Sequence, residues 1–141
     1  MERRIWHFIG AGGHDVMLEW ADALHLDPGV RAKLDGALEG ALDRLRRQGF
    51  DILLHTNAVA GPIMNDIYAL RVNGPVAARV LFCRGPLPGE DAFTLLAGAV
   101  EQGRKLSPAD APENAARNRE LALKEPAHRR KLYDGFGKAA D

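Results

Sequence analysis

The chain reads as an α+β protein, with an antiparallel sheet packed against two N-terminal helices and a further helix near the C-terminus. Two observations predict this. Segments of helical periodicity are grouped before residue 50, while three consecutive stretches between residues 66 and 100 carry strand-type residues separated by short Pro/Gly turns. Consecutive strands with tight turns make an antiparallel meander, and helices grouped apart from them give α+β rather than α/β. The length of 141 residues allows one real core and excludes two. Residues 1–125 are read as one domain and residues 126–141 as a polar tail.

Taken in order, "RRIWHFIG" (residues 3–10) has strand-type residues, although the sequence does not decide whether it joins the sheet. In "HDVMLEWADAL" the spacing of Val16, Leu18, Trp20 and Leu24 predicts a helix, with Asp15 as its cap. The clearest element follows Asp27-Pro28: Val30, Leu34, Leu38, Ala41, Leu42 and Leu45 recur at three and four residues on one face. Arg44, Arg46 and Arg47 complement the dipole at its end, and Gly49 stops it. Gly36 and Gly40 each weaken that helix by roughly 1 kcal/mol relative to alanine, which packing must offset.

A loop is expected next, then strands in "DIYALRV", "AARVLFC" and "EDAFTLLAGAV", the last two divided by "RGPLPGED". In "SPADAPENAARNRELALKE" a helix is expected after Pro112, ending at Pro126. The two N-terminal helices would cover one sheet face and leave the other partly open.

Composition narrows the function. No apolar run is long enough to span a membrane, and the N-terminal apolar stretch is too short and interrupted for a secretory signal. A single cysteine, Cys83, excludes a disulfide framework and a cysteine-based zinc site, so a cytoplasmic protein is expected. No metal or other cofactor is expected. Zero formal net charge argues against bulk, non-specific nucleic-acid binding. Yet Ile67–Gly89 holds Arg71, Arg79 and Arg84 with no acid. Alternation places Tyr68, Leu70 and Val72 on one face and Arg71 on the other; in the next strand Arg79 falls opposite Ala78, Val80 and Phe82. A turn centred on Pro75 makes Arg71 and Arg79 cross-strand neighbours. Like charges so placed repel, which calls for a bound anion, for a carboxylate from elsewhere, or for the two side chains to splay apart.

Read together, "YALRVNGPVAARVLFCRG", "AFTLLAGAVEQGRKLSPADA" and "ENAARNREL" resemble the RelE/HigB-type toxin superfamily, especially its phage-related HigB-like branch. The matching features are Leu70-Arg71, Arg79 before Val80-Leu81-Phe82, Leu95-Leu96-Ala97-Gly98-Ala99-Val100, the basic turn Gly103-Arg104-Lys105, Pro108 and Ala116. The resemblance runs from Val16 to Leu123. It implies a microbial-RNase-like α+β fold with a concave basic sheet face, and the toxin of a type II toxin–antitoxin pair. Such a toxin is a ribosome-dependent mRNA endonuclease acting without metal, and a cognate antitoxin neutralises it. Arg71 and Arg79 would stabilise the charged phosphorane, since the guanidinium fork matches phosphate oxygens. Arg84, Arg104 and Lys105 would contact RNA. Two other functions belong to the same resemblance: a catalytically silent, phage-derived module that docks a protein partner, and gyrase inhibition as in ParE-like members. The chain departs from the family pattern at Ile67 and Ala69, where lysines are common, at Glu101-Gln102, where two lysines are usual, and at Ala99, where an aromatic is expected.

The acid and base of such a reaction would come from His55 in "LLHTN", His128 in "AHRRK" or Tyr133, because imidazole titrates near neutrality. Surface positions are the competing reading for both histidines, and a solvated tail is that for Tyr133 with Arg129, Arg130 and Lys131. His7 and His25 are assigned structural roles, and Trp6 and Trp20 core ones. The stretch "GAGGHD" lacks both the third glycine of a dinucleotide fingerprint and the Lys-Ser/Thr of a triphosphate loop, and reads as a connector.

Overall fold

The structure is a computed structural model that describes residues 3–133. The N-terminal apolar stretch is strand β1 (Arg4–Phe8), and it does join the sheet. Asp15 then caps helix α1 (Val16–Asp22), its carboxylate accepting from the amides of Met17 and Leu18 at 3.1 Å each. Helix α2 (Pro28–Gln48) buries Leu34, Leu38, Ala41, Leu42 and Leu45, the stripe its spacing predicts. Each leucine so buried contributes about 1.5–3 kcal/mol. At its end the Arg3 guanidinium donates to the Arg46 carbonyl at 3.2 Å, setting a cation against the helix C-terminus.

The expected loop after Gly49 is instead a helix and a strand: α3 (Phe50–His55) and β2 (Val59–Met64). The meander follows as β3 (Ile67–Asn73), β4 (Ala77–Arg84) and β5 (Ala92–Gln102), and a short β6 (Lys105–Ser107) folds back on β5. Helix α4 (Ala111–Lys124) takes Pro112 within its first turn, where a missing N–H does no harm. Glu125 separates it from α5 (Pro126–Arg129), and strand β7 (Arg130–Leu132) pairs with β1. The segment from Pro126 to Tyr133, expected as part of a polar tail, is therefore an outer part of the sheet layer. Residues 134–141 of that tail lie outside the described residues.

The architecture is mixed α+β. Seven strands run in the order β2-β3-β4-β5-β1-β7, with β6 against the far end of β5; all pairs are antiparallel except β1 with β5. Helices α1, α2 and α3, three rather than two, cover one face, where their side chains meet Leu70, Val72, Val80, Phe82, Phe93 and Leu95. The opposite face, expected to be open, carries a second core. Ala111, Ala115 and Ala122 of α4 pack there on Ile67, Ala69, Leu81, Cys83, Ala97 and Ala99. Among the described residues no helix is long and apolar enough to cross a membrane.

Behind α1, His7 Nδ1 lies 3.3 Å from Asp15 Oδ2, and Tyr133 stacks on the imidazole at 5.1 Å. Burial pushes the Asp15 carboxyl up, but His7 and the two capped amides outweigh it and hold the group below its ordinary 3.8. A carboxyl with a depressed folded-state pKa adds stability above its unfolded value, and that contribution is lost as pH falls through the folded one. Asp15→Ala should lower stability at neutral pH by about 1 kcal/mol, as loss of a helix cap does. Denaturation midpoints measured from neutrality down to acid should then converge for the two proteins; a constant gap would contradict this role for Asp15.

Candidate functional site

The hairpin register places Arg71 of β3 directly opposite Arg79 of β4, with Ala99 of β5 next in the row. The two side chains part. Arg71 is exposed and its Nη1 donates to the Asn57 carbonyl at 3.3 Å, toward the β2 side. Arg79 is 8% exposed and leans the other way; its Nη1 donates to the Ala78 carbonyl at 2.8 Å and its Nη2 to Glu101 Oε2 at 2.7 Å. The pair thus sits at the margin of the α4-covered face, not on an open sheet: Ala99 belongs to the second core, while Arg71 reaches solvent. A carboxylate from elsewhere and splaying both relieve the repulsion, and a phosphate is not needed to hold the arginines apart.

Glu101 was not expected at this site, and a single irregularity in β5 brings it there. The pairing with β4 shifts between Leu81 and Phe82, so Leu81 faces Ala97 while Phe82 faces Leu95. Leu96 is the extra residue of a β-bulge. Strict alternation from Phe93 and Leu95 would keep residues 97, 99 and 101 on the face of α2. The bulge turns Ala97 and Ala99 onto the α4 face, and Glu101 follows them to Arg79.

The other expected residues divide between this place and others. Arg104 and Lys105 are exposed in the β5–β6 turn, Lys105 opposite Gln102, and neither has an ion pair among the described residues. They extend the cationic margin beyond Glu101. His55 is the exposed last residue of α3, two positions before Asn57, so it belongs to the Arg71 side, with no hydrogen bond or ion pair to Arg71 among the described residues. Arg84 is not part of the group. It lies at the opposite end of β4 and on the opposite face, its guanidinium 4.3 Å above the Phe50 ring and 5.6 Å from that of Tyr68. There it borders a cleft of about 420 Å³ with Arg3, Gly49, Ile52 and Asp91. His128 is exposed on α5, and Tyr133 is buried against His7, its amide donating to the Ile5 carbonyl at 2.8 Å. Both belong to the β1–β7 end of the sheet, so neither is brought to the arginine pair.

Cys83 is no nucleophile in this setting. Burial pushes its thiol up to about 12, and the Arg119 and Arg130 charges offset only part of that. Among the described residues no three His, Cys, Asp or Glu side chains gather as metal ligands. A second cleft, about 490 Å³, lies between α1 and α4 and is walled by Trp20, Gly98, Asn114 and Arg117. It opens where β5 has no strand partner on that side, between the last β1 pair at Leu95 and the first β6 pair at Val100. Asn118 Nδ2 donates to the Leu96 carbonyl there at 2.9 Å.

Arg71, Arg104 and Lys105 are cations exposed to solvent, and Glu101, paired to the buried Arg79, adds one part-exposed carboxylate. No protein-family model matches the chain, and no curated protein matches its sequence.

Proposed function

We propose that the protein is a RelE/HigB-type toxin of a type II toxin–antitoxin pair, a metal-independent endonuclease that cuts mRNA on the ribosome. One observation supports this reading above others: two arginines stand directly opposite near the turn of the β3–β4 hairpin, and an exposed basic turn follows at the end of β5. RNA cleavage by its own 2′-hydroxyl needs a base, an acid for the leaving 5′ oxygen, and fixed cations for the phosphorane. Arg71 and Arg79 supply the cations; Arg104 and Lys105 track the backbone, where unpaired Lys and Arg give salt-dependent binding. His55 is the acid candidate nearest the pair in the chain, and Arg84, His128 and Tyr133 have no part in this reaction. The RelE-like arrangement of the sheet belongs to the same proposal. So do a cytoplasmic location, ribosome and mRNA as targets, and a neutralising antitoxin encoded beside the gene.

A second reading is favoured by the Arg79–Glu101 ion pair and by the absence of lysines at Ile67 and Ala69. On it the chain is a catalytically silent toxin-like module that docks a protein. A reconstituted translation system separates the two. The nuclease produces new 5′ ends in a message only while ribosomes translate it; the silent module leaves that message whole at any concentration.

A further inference from the structure

Glu101 answers a question that the endonuclease reading leaves open, namely which group removes the 2′ proton. Its Oε2 takes Arg79, while Oε1 has no partner among the described residues, and the side chain is 38% exposed. That second oxygen is open to solvent and can accept a proton. Its position is also a built one. Only the Leu96 bulge turns residue 101 toward the arginines, and bulges recur where a strand must re-aim a functional side chain. Arg79 bonds to it, Arg104 and Lys105 follow it in the β5–β6 turn, and among the described residues no second carboxylate bonds to either arginine of the pair.

We propose that the Glu101 carboxylate is the base that takes the ribose 2′-hydroxyl proton when an RNA phosphate lies between Arg71 and Arg79. This rests on the endonuclease reading and completes it. The 2′ oxygen gives its proton to Glu101 and bonds to phosphorus. The P–O5′ bond breaks, its electron pair going to the 5′ oxygen, which takes a proton from the acid of the site, for which His55 is the candidate. The products are a 2′,3′-cyclic phosphate and a 5′-hydroxyl, so atoms and charge balance without a further reactant. The exposed Arg71 offers the phosphate its N–H donors, while the buried Arg79 holds Glu101 in place and adds its charge.

The test compares wild type, Glu101→Gln and Glu101→Asp for cleavage of a translated message, for binding of single-stranded RNA, and for thermal unfolding. Glutamine keeps an acceptor for Arg79 but cannot take the proton. It should slow cleavage about a hundred- to ten-thousand-fold, the range for loss of a general base, while RNA binding stays near wild type and the protein still unfolds cooperatively, at a lower temperature because Arg79 loses its counter-charge. Aspartate, a carboxylate set back by one methylene, should retain more cleavage than glutamine. It also keeps the test valid if Glu101→Gln does not fold. Glu101→Gln cutting at the wild-type rate, or Glu101→Asp cutting no faster than a folded Glu101→Gln, would make Glu101 a counter-ion only and overturn the proposal. A wild type that never cuts would instead overturn the endonuclease reading, and Glu101 as base with it.

Discussion

Alanine at position 98 should destabilise this protein by about 3 kcal/mol, the upper end of what an inserted methyl does to a filled core. Gly98 lies in β5 under the indole of Trp20, and a Cβ there would fall on ring atoms Cδ2 and Cε3, with Cε2 at 2.6 Å. The obstacle is the face of a rigid bicycle, not the movable tip of a flexible chain. Trp20 must therefore leave its seat, taking α1 with it or exposing the ring. Chemical denaturation followed by tryptophan fluorescence should show a lower midpoint and a red-shifted native emission. Trp20→Ala removes the obstacle, so Gly98→Ala should cost much less in that background. Equal costs in both backgrounds would mean that the ring is not what fixes glycine at this position. The same glycine shapes the cleft between α1 and α4, so local sequence, packing and surface form are linked at one residue.

The second large effect concerns activity and leaves the fold alone. Arg71 is exposed and, among the described residues, its side chain bonds only to the Asn57 carbonyl, so Arg71→Ala should unfold within a degree or two of wild type, as surface changes do. Its cleavage of translated mRNA should fall about a hundred- to thousand-fold, the loss typical of one preorganised donor to a developing anion. Arg71→Lys keeps the charge without the planar fork and should lie between. Arg79→Ala should abolish cleavage as well, but it also removes the partner of Glu101, so it reports on activity and stability together. Full activity in Arg71→Ala would remove the phosphate role from the pair.

The long helix α2 and the β3–β4 hairpin were legible because large side chains carried their periods. Six apolar residues face one way in the first, and the Asn-Gly-Pro turn fixes the register in the second. Helix α3 was not legible: six residues are too few to establish a period, and Gly49 at φ 90° separates it from α2. Strand β2 contains Gly61-Pro62, a pair that interrupts a strand pattern, so a loop was expected in its place. The covered face was missed for another reason. Helix α4 meets the sheet through Ala111, Ala115 and Ala122, which are too small to mark an apolar stripe in a charged sequence, so the face of Arg71 and Arg79 looked open. Glu101 was illegible in principle. Which way residue 101 points depends on a bulge at Leu96, and alternation counted through β5 assigns it to the wrong face.

The decisive experiment expresses the chain without any neighbouring gene, follows growth and maps mRNA 5′ ends. An mRNA endonuclease gives growth arrest with new ends confined to translated messages, and Arg71→Ala gives neither. Arrest without such ends would point to another target, such as gyrase. Normal growth with folded protein in the cell would contradict the endonuclease and leave the silent binding module in its place.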